Sequence, residues 1–194
     1  MKSSLLSLVK RVRACAACEG KLELGPRPVV QIGSGARLVI IGQAPGRRVH
    51  ETGIPWDDAS GERLREWLQT SKAEFYNASR VAIIPMAFCY PGKAKSGDLP
   101  PSKSCAPLWH DRLLKCLPPE RLHVLVGSYA QAYYLGDAAK PTMVETVRSW
   151  REYLPFYLPL PHPSPRNNIW LKKNSWFLEE LEEIRVTVGE YLAP

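Results

Sequence analysis

Two strings of residues in this chain combine side chains and backbone in ways that suit chemistry. The first is Pro161-His162-Pro163-Ser164-Pro165-Arg166-Asn167. Each proline fixes its own φ and restricts the residue before it, so the imidazole of His162 is held stiffly. A stiff imidazole suits hydrogen-bond donation or proton transfer near neutral pH. A structural turn capped by the ring is the plainer alternative. The second string is Gly42-Gln43-Ala44-Pro45-Gly46, directly after a short apolar run. Its glycines permit tight turns and close approach of a ligand, and such a loop can aim N–H groups at an anion. A purely structural turn fits it as well. His50 and Glu51 follow and are the nearest groups able to act on water. Gln43 can orient a water molecule but cannot take its proton. Asp57 and Asp58 precede Gly61, and either can cap a helix.

The chain has five cysteines, at positions 15, 18, 89, 105 and 116. In a chain without secretory features this argues against a disulfide framework and towards metal or catalysis. Cys15-Ala-Ala-Cys18 is followed by Cys89 after 70 intervening residues and by Cys105 after 15 more. Four thiolates suit zinc or an iron–sulfur cluster, and spacing alone does not separate them. Free thiols are the alternative. Cys116 is left over and reads as a small buried hydrophobe.

Four runs must position these groups: Arg37–Ile41, Val81–Ile84, Leu122–Val126 and Tyr157–Leu160. The first three are dominated by apolar residues, as expected of strands covered on both faces. Helical patterns lie between them at Gly61–Leu68, Cys105–Leu117 and Tyr129–Leu135, and Trp176–Tyr191 closes the chain. In the last, Phe177, Leu181, Ile184 and Val188 recur at helical spacing. Strands alternating with helices predict an α/β fold, a three-layer α/β/α sandwich around a mainly parallel four-stranded sheet. At 194 residues, one domain over 1–194 is expected. In such sheets ligands sit beyond the carboxyl ends of the strands, where both strings of unusual composition fall.

A formal charge of +7 and a pI near 9.2 suit a polyanionic partner. No apolar run approaches the roughly 18–20 residues of a membrane span. Ser3–Val9 runs straight into Lys10, Arg11 and Arg13 with no small-residue cleavage site, which reads as cytosolic rather than secreted.

Gly42 to Trp56 resembles the first signature of the iron–sulfur (family 4) uracil-DNA glycosylases. That signature runs Gly-Glu-x-Pro-Gly, then acidic residues, then x-Gly-x-Pro-Phe-x-Gly. The string at His162 is similar to the family's His-Pro-Ser-Pro, with an Arg-Asn extension like that of the single-strand-selective monofunctional class. Gly127-Ser128-Tyr129-Ala130-Gln131 resembles the family's Gly-x-x-Ala-Gln turn, and the cysteine spacing matches that of its [4Fe–4S] ligands. The resemblance implies a pocket for a flipped-out base lined by Gly42, Ala44, Pro45, Gly46 and Trp56. Trp56, where the family has phenylalanine, would stack on the base; an ordinary core aromatic is the alternative. It implies that His162 donates a hydrogen bond to the departing base, and that Pro163, Ser164, Pro165, Arg166 and Asn167 wedge into the DNA. It further implies a [4Fe–4S] cluster on Cys15, Cys18, Cys89 and Cys105, with zinc the alternative, tying the N-terminal arm to the 89–105 loop. No nucleotide cofactor is implied. Lys93 and Lys95 suit the DNA backbone, or a solvated loop.

Two departures matter. Pro85 stands where the family has the asparagine that reads uracil, and proline offers no donor. Gln43, Val49 and His50 replace the water-positioning acids, leaving Gln43, His50 and Glu51 as the candidates beside His162. The expected activity is hydrolysis of the N-glycosidic bond of a deaminated base in DNA, uracil foremost, leaving an abasic site. Hypoxanthine and xanthine remain open as substrates. A catalytically weak, damage-recognising DNA-binding module is the second reading, and a redox or zinc protein unrelated to DNA the third. A monomer is expected.

Overall fold

Leu38-Val39-Ile40-Ile41 carries no polar residue because both faces of its strand are covered. Leu38 and Ile40 enter one apolar layer and Val39 and Ile41 the other, as the two-residue period of a strand requires. The computed structural model describes residues 2–193 and repeats this arrangement in the neighbouring strands. In chain order the elements begin with α1 (Lys2–Arg13), β1 (Leu38–Ile41), α2 (Arg47–Thr52), α3 (Ala59–Trp67), α4 (Lys72–Phe75) and β2 (Val81–Ile83). They continue with α5 (Cys105–Leu114), β3 (Leu122–Val126), α6 (Ser128–Leu135), α7 (Met143–Arg148), β4 (Tyr157–Leu160), α8 (Asn168–Lys173) and α9 (Trp176–Leu192).

The sheet has the order β2-β1-β3-β4 and every pairing is parallel. One face is covered by Leu64 and Trp67 of α3, Phe75 of α4, Val147 of α7, and Phe177, Leu181, Ile184 and Val188 of α9. The other is covered by Val12 of α1, Ala106, Trp109 and Leu113 of α5, and Ala130 and Leu135 of α6. This is the expected three-layer α/β/α architecture. Because the chain leaves β1 towards β2 on one side and pairs β1 with β3 on the other, a crevice opens above β1 and β3 at their carboxyl ends.

The element boundaries shift for local reasons. α5 stops at Leu114 rather than Leu117, because Cys116 and Leu117 make tighter i→i+3 bonds to Leu113 and Leu114 ahead of Pro118. Residues 2–13 form α1, and Arg47–Thr52 forms α2 with Gly53 at φ 72° closing it. Cys116 is half-exposed, not buried. It hangs from the end of α5, its thiol donating to the Arg112 carbonyl at 3.5 Å. Among the described residues no helix is long and apolar enough to cross a membrane.

A buried polar network lies in the α5–α6 layer. The Pro85 carbonyl can only accept, so His110 Nε2–H donates to it (3.0 Å) and His110 Nδ1 accepts from the Tyr134 hydroxyl (2.6 Å). His123 stacks on Tyr134 with ring centroids 5.9 Å apart, and its Nδ1 lies 3.1 Å from the Phe156 carbonyl. Burial pushes both imidazoles down to about 4. In the unfolded chain they titrate near about 6.5, so below that pH the unfolded state binds more protons than the fold. The fold is therefore expected to lose a few kcal/mol of stability between about pH 6.5 and about pH 4, with little further loss from these groups below that. Urea unfolding midpoints across this range check it, and replacing His110 and His123 with phenylalanine should flatten the dependence.

Candidate active site

The carboxyl ends of three strands, β1, β2 and β4, contribute to one cavity of about 470 Å³. Gly42-Gln43-Ala44-Pro45-Gly46 leaves β1, Pro85 leaves β2, and His162 leaves β4, all lining it. Gly127, after β3, lies directly beneath His162: a Cβ there would sit 3.4 Å from the His162 Cβ, and φ is +84°. The loops are tied together by backbone bonds. Met86 N–H donates to the Gly42 carbonyl (2.8 Å) and Ala87 N–H to that of Gln43 (3.0 Å). Gln131 is buried, and its amide donates to Leu160 (2.9 Å) and Leu125 (3.4 Å), stapling β4 to β3. The Gly127–Gln131 turn thus acts in packing.

His162 is oriented by its own loop. Ser164 N–H donates to Nδ1 at 3.2 Å, so in the neutral ring the proton sits on Nε2. Asn167 Nδ2 donates to the His162 carbonyl at 2.8 Å. Burial lowers the imidazole's affinity for a second proton, and the nearby Asp58 carboxylate opposes this only in part. A neutral ring with a free Nε2–H donor results. Arg63 of α3 clamps the loop from outside, donating to the Asn168 side-chain oxygen (2.8 Å) and to the carbonyls of Pro163 (3.3 Å) and Ser164 (3.4 Å). Of the five residues assigned to the wedge, Ser164, Arg166 and Asn167 line the cavity. Pro163 is buried beneath them and Pro165 is exposed at the start of a short 3-10 turn.

Trp56 lines the cavity with its ring centroid 5.7 Å from that of His162, tilted by 33°. Its φ of 56° is strained for a bulky residue. Two glycines make that conformation possible. A Cβ on Gly42 would come within 2.6 Å of the indole, and one on Gly61 within 1.8 Å of the Trp56 carbonyl oxygen. The same carbonyl accepts from Arg65 at 3.4 Å. Trp56 is therefore half-buried, packed against the edge of the core layer while lining the cavity.

Three candidates are placed differently from one another. Gln43 lines the cavity, its amide donating to the Leu99 carbonyl at 3.4 Å. His50 and Glu51 do not line it. His50 lies on the buried face of α2 against Tyr90, with ring centroids 6.2 Å apart. Glu51, on the outer face, pairs with Arg47 at 3.0 Å and is exposed. The helical turn of α2 carries both away from His162. Two carboxylates outside the motif strings, Asp58 and Asp98, do line the cavity. Asp98 belongs to a small hairpin whose Lys93 and Asp98 pair as a bridge, with Lys93 and Lys95 exposed. Arg166 packs against Gly97 at its tip, so a Cβ there would meet the guanidinium.

Cys15, Cys18, Cys89 and Cys105 line a second, narrow hollow of about 20 Å³ with Val12, Phe88 and Trp109. None is in a disulfide. Burial pushes the Cys89 thiol up to about 11, with smaller contributions from the neighbouring cysteines, and raises Cys105 as well. The backbone N–H groups of Arg27 and Phe88 favour the thiolate forms of Cys89 and Cys105. Among the described residues no three Cys, His, Asp or Glu side chains converge tightly enough for one metal ion. The four cysteines share the lining of this hollow, and amide donors lie beside two of the thiols.

A family model described as Uracil DNA glycosylase superfamily matches residues 30–184. Every element named above from β1 to α8 lies within that match.

Gly61→Ala tests the Trp56 arrangement. In an unconstrained helix this change stabilises by up to about 1 kcal/mol. Here the clash with the Trp56 carbonyl is expected to reverse the sign and destabilise by about 1–3 kcal/mol, as forced overpacking does. Chemical unfolding, followed together with tryptophan emission, reads both effects.

Proposed function

Because the chain belongs to the uracil DNA glycosylase superfamily, we propose that it hydrolyses the N-glycosidic bond of a deaminated base in DNA, uracil foremost. The observation that carries this reading is the neutral His162, its Nε2–H free beside an aromatic wall in a cavity formed at the strand ends. A base inside a duplex is unreachable, so it is flipped into the cavity at a cost of a few kcal/mol. Trp56 supplies a stacking face worth about 1–3 kcal/mol. Gly42, Ala44, Pro45 and Gly46 form the adjoining backbone wall. As the bond breaks, negative charge gathers on the base and His162 Nε2–H donates to it. One fixed donor of this kind is worth about 2.7–4 kcal/mol. Ser164, Arg166 and Asn167 at the rim, on a chain of charge +7, face the DNA.

Pro85 bears on which base is taken. Its carbonyl is engaged from behind by His110, so it presents only its apolar ring to the cavity. Polar reading of the base edge falls to Gln43 and to the backbone around it. This keeps hypoxanthine and xanthine as candidate substrates.

The four cysteines are proposed to hold a [4Fe–4S] cluster, as in the family 4 enzymes that the chain resembles. The apolar hollow, the four thiols and the two amide donors support it. When bound, the cluster supplies a covalent crosslink rather than chemistry at the base. Cys15 and Cys18 tie the end of α1 to the loop between Cys89 and Cys105, whose hairpin lines the active cavity.

Duplexes and single strands carrying one uracil, hypoxanthine or xanthine, cleaved by alkali after incubation, test the activity. Abasic product from at least one is expected, and His162→Ala should slow single-turnover excision at least about tenfold. Because protonation of His162 displaces the Ser164 N–H, the acidic limb of its rate profile should lie below the ordinary imidazole value of about 6.5. Tight binding with no product on any oligonucleotide would favour a damage-binding module instead.

The cluster is checked by colour and by iron and sulfide analysis. A brown protein is expected, and Cys89→Ser should lose the chromophore whereas Cys116→Ser keeps it. A colourless, zinc-replete protein would sink this part.

A further inference from the structure

The proposed excision leaves open which group handles the water that replaces the base. We infer that Asp58 is that catalytic residue, its free carboxylate oxygen orienting the water and facing the positive charge that develops at the sugar C1′. This rests on the excision reading above.

The geometry separates Asp58 from its neighbour Asp57, and its cap separates it from the hairpin acid Asp98. Its Oδ1 accepts the Gly61 N–H at 2.8 Å as the N-cap of α3, so the side chain has one orientation. Its Oδ2 is left over. A Cβ on Gly46 would lie 4.0 Å from that oxygen, which places the oxygen at the loop after β1. Among the described residues Asp58 forms no ion pair, whereas its neighbour Asp57 faces Arg48 at 3.8 Å and lies outside the cavity. The carboxylate is close enough to His162 to act on the ring's charge. One wall of the cavity thus carries a fixed donor and another a fixed anion.

Those two groups match the two ends of a breaking glycosidic bond. The C1′–N bond breaks and its electron pair leaves with the base, where His162 Nε2–H meets it. The sugar is left cationic, and a carboxylate nearby stabilises that charge. The water oxygen forms the new bond to C1′ and its proton passes to Asp58 Oδ2. From there it returns to the base nitrogen or to solvent, and the products are the free base and an abasic site. Gln43 lines the same cavity and can hold the water but cannot take its proton. Asp98 is the competitor. It sits on an exposed hairpin, and a Cβ on Gly46 would lie 3.8 Å from its Oδ2.

Asp58→Asn is the decisive variant, because asparagine caps a helix as well as aspartate and only the charge and the proton acceptor are lost. Asp58→Ser is the second, since it also caps but has no second oxygen. Two readouts are taken. The first is single-turnover release of the preferred base, expected to fall about a hundredfold in both variants. The second is binding to DNA with a cationic pyrrolidine in place of the abasic sugar, compared with neutral tetrahydrofuran. Wild type should prefer the pyrrolidine, and both variants should lose at least about tenfold of that preference while keeping tetrahydrofuran affinity. A full pyrrolidine preference in Asp58→Asn, or the same losses in Asp98→Asn with Asp58→Asn unaffected, would overturn the assignment. The binding arm needs no turnover. If wild type releases no base yet shows an Asp58-dependent preference, the excision reading fails and the charge role of Asp58 stands.

Discussion

One backbone amide sets the chemistry of the site. Ser164 N–H occupies Nδ1 of His162, which lines the cavity, and this leaves the proton of a neutral ring on Nε2. Burial keeps the second proton off. Both conditions depend on the shape of the loop, which is fixed three times over. Prolines at 161, 163 and 165 restrict its backbone, Asn167 bonds back to the His162 carbonyl, and Arg63 gathers the outer carbonyls. Gly127 lies below at a φ of +84°, a backbone conformation that residues with side chains rarely adopt. A loose loop would let the ring turn and protonate, and the same ring would then be an acid with no fixed direction.

A second constraint is steric. Trp56 is held at a φ that large side chains rarely adopt, and it stays there because Gly42 and Gly61 leave room for its ring and its carbonyl. Strain of this kind, about 1–3 kcal/mol, is tolerated where the surrounding packing over-determines it. Leu64 and Trp67 root α3 in the core, Asp58 caps it, and Arg63 and Arg65 reach from it to the His162 loop and to Trp56. One short helix therefore organises the stacking wall, the donor loop and the carboxylate together.

The parallel sheet does the coarser positioning. With the order β2-β1-β3-β4, the loops after β1, β2 and β4 line one cavity, so residues far apart in the chain share it, while Gly127 after β3 supports His162. The opposite layer supports this from below. His110 holds the Pro85 carbonyl, and the cysteine hollow lies where α1, the loop after β2 and the start of α5 come together. Any group bound there would act on the cavity through the 89–105 segment and its hairpin.

Much of this was legible in the linear chain, for physical reasons. Runs such as Leu38–Ile41 and Leu122–Val126 announce buried strands because strands covered on both faces leave few polar positions. Proline and glycine have so few alternatives that the loops at Gly42–Gly46 and Pro161–Pro165 could be read as rigid before any contact was known. The spacing of the first four cysteines survives as one hollow, while Cys116, outside that spacing, lies apart from it. What the chain did not reveal depends on direction. His50 and Glu51 looked close enough to act on the water, yet winding into α2 put their neighbour Val49 at the cavity and left both of them off it. Asp57 and Asp58 looked alike as caps, and the fold made one a partner of Arg48 and the other the N-cap of α3 lining the cavity. Proximity along a chain sets which residues share an element, but 3.6 residues per turn and the packing of layers set which way each one faces.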